Sequence, residues 1–257
     1  FETFLRENIP KAARVDHLEI ETIDTHGESE FRIVESTNSD YLFPPIPPDL
    51  ATCDTCREEL LNPKDRRYLY PFITCTQCGP RYSIVEDTPF DRETTSMAEF
   101  HQCPECLREY RNPLNRRFHS QTNSCSVCGP AYTCISTEES SATHPFSLRS
   151  SREMPFPVTS AIRAIGEGAV VAMQGIGGFH LAADPSHPRA VEKLRREKGR
   201  KSKPFALMVR DIEEAKRLCY CTDKDVQLLQ SPESPILILE ARNSIPEYLN
   251  HVSDTGT

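Results

Sequence analysis

The chain has 257 residues, enough for one or two ordinary domains or for several small modules joined in series. Its net charge of −8 excludes a nucleic-acid binder that works by general charge attraction, and its apolar fraction of 37% does not indicate a single large core. The sequence shows no signal peptide and no apolar run of about 18 residues or more, so we expect a cytoplasmic protein that does not enter a membrane. It begins with Phe1 rather than Met, which suggests a piece of a longer protein.

The stretch up to residue 52 predicts short elements that lead into a proline-rich segment. Residues 1–5 predict the last turns of an amphipathic helix, which Pro10 ends. Alternating apolar residues at 18–20 and 31–33 predict two short strands. Four prolines within residues 43–48 predict a stiff linker, because each ring fixes φ and removes a backbone donor.

Four Cys-x-x-Cys pairs follow, with 18, 24 and 18 residues between successive pairs. Their eight members are Cys53, Cys56, Cys75, Cys78, Cys103, Cys106, Cys125 and Cys128. Two intervening residues let both thiolates of a pair reach one ion, and two pairs complete a tetrahedral shell for zinc. Disulfides are the alternative, but the cysteines number 11, an odd count, and the pairwise spacing is typical of metal ligands in a reducing compartment. The sequence therefore predicts two zinc ions.

The cysteine-rich stretch is an internal repeat with an offset of 50 residues. The offset aligns Asn-Pro, Arg-Arg and Cys-x-x-Cys-Gly-Pro phrases as well as the cysteines. Each unit is too small for an apolar core of its own, so metal binding would supply about 10 kcal/mol of folding free energy per zinc. The arginine pairs 66–67 and 116–117 are interpreted either as an anion-binding patch or as partners of Glu59 and Glu109.

We expect the zinc to be structural, because four thiolates per ion leave no open position for water. The spacing leaves two pairings open: ligands within each repeat, or the outer pairs on one ion and the inner pairs on the other. His119 is a candidate replacement ligand, with a surface or packing role as the alternative. Gly79 and Gly129 stand where a chain folding around a metal often needs a positive φ.

The remaining residues predict an α/β domain behind a linker. Residues 136–151 are rich in Ser, Thr and Glu, which is typical of a linker. Thr159 or Ser160 is predicted to cap a helix over 161–165, and the apolar run 169–173 predicts a buried strand.

Helices and strands continue to alternate towards the end of the chain, which indicates an α/β domain. Helices are predicted over 188–198, with Ser186 as the cap, and after the capping residues Asp211 and Thr222. Buried strands are predicted over 205–209 and 236–239.

Two segments of this domain could carry chemistry. Glycines within 175–180 would let the backbone approach a phosphate closely, although a plain turn at the end of a strand explains them as well. Residues 195–203 hold six cations in nine positions, on a chain of negative net charge. Arg supplies bidentate donors and Lys a point charge for phosphate oxygens, so the two segments together would form a nucleotide or acyl-phosphate pocket.

Three features together closely resemble the HypF family, the carbamoyltransferases of nickel–iron hydrogenase maturation. They are the doubled cysteine pattern, the phrases Arg66–Ile73 and Arg116–Gln121, and the loop Gly175–Leu181. The resemblance covers nearly the whole chain and implies an α+β, multi-module fold: a tandem four-cysteine zinc-finger domain followed by an incomplete YrdC-like α/β domain. It implies the end of an acylphosphatase-like domain at 1–37, the tandem zinc-finger domain at 38–137, a linker at 138–157 and the first part of the YrdC-like domain at 158–257.

The family's reaction hydrolyses carbamoyl phosphate, forms carbamoyl-adenylate with ATP, and passes the carbamoyl group to the C-terminal Cys of HypE, where dehydration gives the cyanide ligand of the hydrogenase iron. The resemblance thus implies an enzyme with two structural zinc ions, ATP as a substrate with Mg²⁺, and a HypE-like partner. The acylphosphatase phosphate loop, the Ser-x-Asn element of YrdC-like proteins and the transfer domain have no counterpart in this sequence. We therefore expect this chain alone to be inactive, and its catalytic residues are not identified.

A Lys-x-Arg motif binds the nucleotide in YrdC-like proteins, and here it is Lys198-Gly199-Arg200. The residues implied to bind the nucleotide or the carbamoyl-adenylate are Lys198, Arg200, Lys203, Gly177, Gly178, Phe179 and His180. A packing role for His180 remains the alternative.

Two other functions fit parts of the sequence. Tandem zinc boxes also resemble the cysteine-rich domain of DnaJ chaperones, which would make the chain a non-catalytic interaction module. A threonylcarbamoyl-adenylate synthase of tRNA modification shares the YrdC-like fold, but the zinc boxes count against it. Nucleic-acid binding by the zinc boxes is not expected, because they lack an interleaved aromatic and basic surface.

Overall fold

The computed structural model describes residues 2–9, 15, 17–22, 24, 27, 46–135, 156–200 and 202–253. The α-helices are α1 (Glu2–Glu7), α2 (Asp54–Leu61), α3 (Pro104–Arg111), α4 (Phe156–Gly166), α5 (Pro188–Glu197), α6 (Ile212–Leu218) and α7 (Asp223–Leu229). The strands are β1 (Val171–Gly175) and β2 (Gly178–Ala182), and short 3-10 helices cover Tyr82–Ile84, Arg92–Thr94, Ser96–Glu99 and Glu247–His251.

Residues 46–135 form two units of similar structure, so the sequence repeat is also a structural repeat. Helices α2 and α3 open the two units at the same offset, each with a cysteine in the N-cap position and each only eight residues long. The residues Leu69 and His119 correspond in the repeat, and both adopt the left-handed region, with φ of 56° and 52°. Helices this short are marginal alone, so their stability must come from what they pack against.

The interior of the first unit is built around cysteine sulfur rather than a large apolar core. Cys56, Cys75 and Cys78 are buried together with Tyr70 and Ile73. Among the fully buried side chains of the two units are also polar ones, and these need hydrogen-bond partners inside the protein.

The elements predicted near the start of the chain are confirmed in part. Helix α1 confirms the predicted end of a helix. Residues 17–22 carry neither helix nor strand, so the strand predicted at 18–20 is wrong. A strand is held by hydrogen bonds to a neighbour, and the partner predicted at 31–33 lies outside the described residues. Residues 43–45 of the predicted proline-rich linker also lie outside them.

Helix α4 begins earlier than predicted. Thr159 and Ser160, the predicted caps, lie inside the helix, which starts at Phe156. Pro157 favours this start, because proline in the first turn loses no intrahelical hydrogen bond. The predicted linker at 136–151 lies outside the described residues.

A two-stranded antiparallel hairpin follows α4, and it replaces the single buried strand predicted over 169–173. Strands β1 and β2 pair from Val171 with Ala182 to Gly175 with Gly178, so Ile176 and Gly177 form the turn. Gly178 has φ of 133°, a conformation that favours glycine at this tight connection. The strand β1 is only partly buried, with three of its five residues exposed.

The predictions of buried strands over 205–209 and 236–239 are both wrong. Neither segment is a strand, and the side chains of Met208, Ile236 and Ile238 are 99%, 81% and 86% exposed. Apolar composition alone does not make a strand, because the backbone needs a neighbour to complete the hydrogen-bond ladder.

Helices α6 and α7 confirm their predicted capping residues, whereas the cap Ser186 predicted for α5 is wrong, because His187 occupies the N-cap position. Helix α5 matches the prediction over 188–198 within one residue at its end. The Asp211 carboxylate accepts a hydrogen bond from the Glu214 amide at the start of α6, and Thr222 forms a capping box with Asp225 at the start of α7. Local side-chain chemistry thus determines these helix starts.

The first repeat unit contacts the α/β part of the chain directly. The backbone amide of Ala51 donates to the carbonyl of Pro232 at 2.8 Å. The hydroxyl of Ser83 lies 4.0 Å from the position that a Cβ would take on Gly177, in the turn of the hairpin. None of the helices in the described ranges has the length and apolar character needed to cross a membrane.

Candidate metal centres and basic segment

Four thiols meet in each repeat unit and form two centres. Centre 1 consists of Cys53, Cys56, Cys75 and Cys78, and centre 2 of Cys103, Cys106, Cys125 and Cys128. Within each centre the four Sγ atoms all lie within 4.8 Å of one another. Each centre therefore takes its ligands from one repeat, and the alternative that placed the outer pairs on one ion and the inner pairs on the other is wrong.

The geometry of both centres fits zinc. Neighbouring Sγ atoms are 3.6–3.8 Å apart. A tetrahedron with Zn–S bonds of about 2.3 Å places its sulfurs about 3.8 Å apart, whereas a disulfide bond is about 2.05 Å long. All eight cysteines are free thiols. Four thiolates fill the tetrahedral shell, so the ion would stabilise the fold and leave no position for a reactive water.

The backbone turn of each second cysteine pair contributes an amide donor to the centre. The amide of Gln77 donates to Cys75 Sγ at 3.3 Å, and the amide of Val127 donates to Cys125 Sγ at 3.4 Å. These two residues correspond in the repeat. Their donors stabilise the negative charge of a metal-bound thiolate.

The two predicted glycines play different parts in these turns. Gly79 has φ of 94°, which confirms the prediction for the first repeat. Gly129 is not in the left-handed region, so the same prediction for the second repeat is wrong. A Cβ on Gly129 would lie 2.1 Å from the Tyr70 hydroxyl and 2.6 Å from the Ser124 Cβ, so close packing between the repeats requires glycine there.

The arginines of each repeat reach the centre of the other repeat. Arg66, in the first repeat, donates to Cys106 Sγ at 3.4 Å and to Cys125 Sγ at 3.2 Å in centre 2. Arg116, in the second repeat, donates to Cys53 and Cys56 Sγ in centre 1 at 3.3 and 3.2 Å. The two repeats therefore exchange their charged side chains across the interface between them.

Each arginine pair also forms ion pairs with a glutamate on the helix of the other repeat. Glu109 on α3 accepts from Arg66 at 3.2 Å and from Arg67 at 3.0 Å, and Glu59 on α2 accepts from Arg116 at 2.8 Å and from Arg117. The salt-bridge interpretation of the arginine pairs is confirmed. The anion-patch interpretation is wrong for these four guanidiniums, because they are engaged by carboxylates and thiols within the protein.

Arg67 and Arg117 are almost fully buried, and backbone carbonyls satisfy their remaining donors. Arg67 Nε donates to the Ser124 carbonyl, and Arg117 Nε to the Thr74 carbonyl, both at 2.9 Å. Both carbonyls lie one residue before a cysteine ligand of the opposite repeat. A buried guanidinium is tolerated only with such a full set of partners, so these arginines fix the position of the opposite cysteine turn.

The electrostatics of this interface favour the charged state of both partners. Burial acts to raise the pKa of Glu109, but the hydrogen bond and the charge of Arg67 outweigh it, and the pKa lies below its ordinary value. Burial likewise acts to lower the pKa of Arg66, but its hydrogen bond to the Cys106 thiol and the nearby charges raise the pKa overall. The ion pairs therefore persist across the neutral pH range.

His119 is not a metal ligand in this structure. Its ring stacks on Tyr110 with a centroid separation of 5.0 Å and meets the edge of Phe118 at 4.4 Å. The packing role considered for it is confirmed. Its left-handed backbone corresponds to that of Leu69, so the position serves the turn of the repeat rather than the metal.

Asn123 is a structural residue that sequence reasoning missed. It is fully buried, accepts from Arg67 Nη2 at 2.8 Å, and donates to the Cys106 carbonyl at 2.9 Å. The equivalent position of the first repeat is Ile73, an apolar residue. This replacement of an apolar residue by a polar one at the same position of the repeat was the signal in the sequence that could have identified Asn123.

The predicted nucleotide-binding residues occupy two separate segments. Gly177 and Gly178 lie at the turn of the β1–β2 hairpin, and Phe179 and His180 follow with exposed side chains. The glycine segment connects two antiparallel strands and does not open a helix. Among the described residues no hydrogen bond joins this hairpin to the basic segment 195–203.

The basic segment contains one arginine with a structural role beside exposed cations. Arg195 donates to the carbonyls of Lys203 at 3.1 Å and His251 at 2.8 Å, which ties the end of α5 to the last 3-10 helix. The guanidinium of Arg200 lies 5.6 Å from the ring centre of Phe205. Lys198 and Lys203 are exposed, so both ammonium groups are accessible to a ligand.

Two family models match this chain. The model described as HypF finger matches residues 52–85 and 103–135, the segments that carry the two centres. The Sua5, YciO and YrdC family model, described as Telomere recombination, matches residues 163–256. Carbamoyltransferase HypF2 of Cupriavidus necator is 43% identical over 94% of the chain, and the HypF carbamoyltransferases of Rhizobium leguminosarum and Synechocystis are 45% and 42% identical over 94%. The chain belongs to the HypF family.

Solved HypF structures support the same assignment at the level of the fold. A full-length HypF in a phosphate- and nucleotide-bound form has a TM-score of 0.82 and 39% identity and covers 95% of the chain. HypF of T. kodakarensis has a TM-score of 0.76 and 38% identity over 98%. The predicted fold class, tandem four-cysteine fingers followed by part of a YrdC-like α/β domain, is confirmed. The chain spans 29–30% of the length of these curated relatives and 30% of each solved chain.

Proposed function

We propose that the protein carrying this chain is a carbamoyltransferase that uses carbamoyl phosphate and ATP to form carbamoyl-adenylate. It then transfers the carbamoyl group to the C-terminal Cys of a HypE-like partner, for the cyanide ligand of a nickel–iron hydrogenase. The observation that carries the proposal is the presence, in one chain, of both HypF fingers and a YrdC-like segment. The match to relatives named carbamoyltransferases supports the reaction class.

In this proposal the chain supplies part of the nucleotide site. Lys198, Arg200 and Lys203 contact the phosphates of ATP, with Mg²⁺ bound by the same phosphates. Gly177 and Gly178 let the hairpin backbone approach the carbamoyl-adenylate. Two observations support this assignment: the accessible ammonium groups of the lysines and a solved relative in a nucleotide-bound form.

The exposed side chains of the hairpin would bind the other end of the same ligand. Phe179 is 69% exposed, which is unusual for a large apolar ring and suits stacking on a flat ligand group. His180 is exposed beside it and offers a ring nitrogen as a donor. ATP or carbamoyl-adenylate bound there would bridge the hairpin and the basic segment.

The domain plan belongs to the same proposal. Residues 1–37 end an acylphosphatase-like domain, 38–137 form the tandem fingers, 138–157 link, and 158–257 begin the YrdC-like domain. Hydrolysis of carbamoyl phosphate and transfer to HypE would take place on other parts of the protein, so the chain alone would be inactive. Free cysteines in two zinc centres suit a reducing compartment, so we place the protein in the cytoplasm.

Calorimetric titration of ATP into the full-length protein tests the nucleotide site. The double variant Lys198→Ala/Arg200→Ala should bind ATP at least ~10-fold more weakly, because each charged hydrogen bond to phosphate contributes about 1.5–3 kcal/mol. Arg217→Ala/Lys224→Ala, which removes the same charge from exposed positions on α6 and α7, is the matched control and should leave the affinity unchanged. Equal affinity of both double variants for ATP would contradict the assignment.

A second candidate function for the finger domain is binding of the protein partner. Leu114 and Val127 in the second finger are 96% and 78% exposed, whereas the first finger has Lys64 and Gln77 at the equivalent positions. Exposed apolar side chains on one repeat favour an interaction surface. Leu114→Lys/Val127→Gln in the full-length protein should then weaken HypE binding without changing ATP affinity, and unchanged HypE binding would refute this role.

A further inference from the structure

The arginines and the thiols of the two fingers are connected crosswise. Arg66 stands in the sequence between the cysteine pairs of centre 1, yet its guanidinium donates to three sulfurs of centre 2. Arg116 stands between the pairs of centre 2, yet it donates to Cys53 and Cys56 of centre 1. We propose that each zinc ion is retained and shielded by the arginine of the opposite repeat, so that Arg116 acts on centre 1 and Arg66 acts on centre 2.

Charge explains why each centre needs these cations. Four thiolates around Zn²⁺ carry a net charge of −2, and the two guanidiniums of the opposite repeat, which share one glutamate, offset part of that charge at each centre. A charge-assisted hydrogen bond to sulfur also withdraws electron density from the thiolate. Zinc leaves such a centre when a thiolate is protonated or alkylated, and both reactions need the sulfur electron pair that the guanidinium engages.

The location of Arg66 and Arg116 suits shielding. Within centre 1 the half-buried sulfur is that of Cys53, and Arg116 Nη2 lies 3.3 Å from it. In centre 2 the half-buried cysteines are Cys103 and Cys128, and Arg66 Nη2 lies 3.4 Å from Cys103 Sγ. Both arginine side chains are themselves partly exposed, Arg66 at 31% and Arg116 at 29%, so each covers the half-buried cysteine that it bonds.

The ion pairs with glutamate hold each arginine in place for this role. Glu59 lies on the same helix as Cys56, and Arg116 bonds both of them. Glu109 and Cys106 hold Arg66 in the same way on α3. The guanidinium thus has one anchor that does not depend on the metal, which makes it a positioning residue for the thiolates.

The test measures the reactivity of each centre separately in the zinc-loaded full-length protein. Isotope-coded iodoacetamide, followed by mass spectrometry of the cysteine peptides, gives an alkylation rate for each cysteine. Arg116→Ala should raise the rates of the centre 1 cysteines about 10- to 100-fold, the usual effect on metal affinity of losing a partner of a metal ligand. The centre 2 rates should stay the same. Arg66→Ala should give the reverse result.

Three controls separate shielding from a general loss of structure. Arg57→Ala removes an exposed arginine next to Cys56 whose guanidinium bonds Asp54 instead of sulfur, and it should change no rate. The exposed Cys134 provides a reference rate within each variant. Arg116→Lys keeps the positive charge but lacks the planar set of N–H donors, so it should recover part of the protection against alkylation.

Cobalt in place of zinc gives a readout that depends on the sulfur electrons. Loss of an N–H donor to thiolate should shift the sulfur-to-cobalt charge-transfer band to longer wavelength in Arg116→Ala, and a variant altered only in folding would not show this shift. The proposal is overturned if Arg116→Ala exposes centre 2 instead of centre 1, if it exposes both equally, or if neither alkylation nor the cobalt spectrum changes.

Discussion

Replacing Glu59 by Gln tests the buried ion pairs that join the two fingers. Glu59 accepts from Arg116 at 2.8 Å and from Arg117, whose side chain is only 4% exposed. Glutamine has the same shape as glutamate but no charge. The NH2 of its amide would face the N–H groups of the guanidiniums, and two donors cannot bond each other. Breaking a buried pair on one side typically costs about 3–5 kcal/mol, and the partial exposure of Arg116 places this case near ~3 kcal/mol.

The assay is urea-induced zinc release from the full-length protein at a fixed, buffered concentration of free zinc, because ligand binding shifts apparent stability by mass action. With an m-value of about 1.5 kcal/mol/M, a loss of ~3 kcal/mol lowers the midpoint by about 2 M urea. Glu58→Gln is the matched control, since Glu58 is the exposed neighbour on the same helix. Its effect should stay within about 0.5 kcal/mol, as for surface substitutions in general.

A double-mutant cycle makes the interpretation sharper. Arg117→Met alone should also destabilise, but the combination with Glu59→Gln should cost less than the sum, because the orphaned buried charge is gone. If Glu59→Gln and Glu58→Gln have the same midpoint, the ion pair contributes nothing and the reasoning about the interface is refuted.

Three further predictions concern the metal, the packing and pH. Elemental analysis should find two zinc ions per chain and one in either Cys56→Ser or Cys106→Ser; two in both variants would refute the two-centre arrangement. Gly129→Ala should destabilise the finger domain by about 1–3 kcal/mol through overpacking against Tyr70, whereas Gly166→Ala, with open space around it, should not, and equal urea midpoints would contradict this. Burial acts to raise the pKa of Asp49, but hydrogen bonds from the Ser83 hydroxyl and from backbone amides outweigh it and hold the pKa below 3.8. The contribution of Asp49 to folding stability is therefore complete above the pKa of the unfolded state and is lost only as the pH falls through the lower pKa of the folded state. The stability difference between wild type and Asp49→Asn should thus be constant from about pH 5 to 7. A slope in that interval would contradict this prediction.

The parts of the fold that depend on local chemistry could be predicted from the sequence. The cysteine spacing indicated the ligands of both centres, because two residues between cysteines restrict them to one tight turn or one helix start. The caps Asp211 and Thr222 marked α6 and α7, since their side chains bond amides three residues away. In each case the interacting residues are close in the chain.

The parts of the fold that depend on residues distant in the sequence could not be predicted. Arg66 and Glu59 lie in the same repeat and look like natural partners, yet each pairs with the other repeat. A repeated sequence does not distinguish an internal contact from the same contact exchanged between copies. The strand predictions at 205–209 and 236–239 failed for a related reason, because an apolar run does not specify whether a neighbouring strand is available.

The exchanged contacts explain why the finger occurs as a pair. A single unit would expose its arginine pair without the opposite glutamate, and it would leave the charge of its own thiolates unbalanced. The first unit also supports the α/β part, because Ala51 bonds Pro232 and Ser83 lies beside the turn residue Gly177. A metal in centre 1 therefore fixes the backbone next to the hairpin proposed to bind the nucleotide, and the second unit stabilises that metal through Arg116. In the proposed function, the zinc of centre 1 would therefore act on the nucleotide site through the position of this backbone alone.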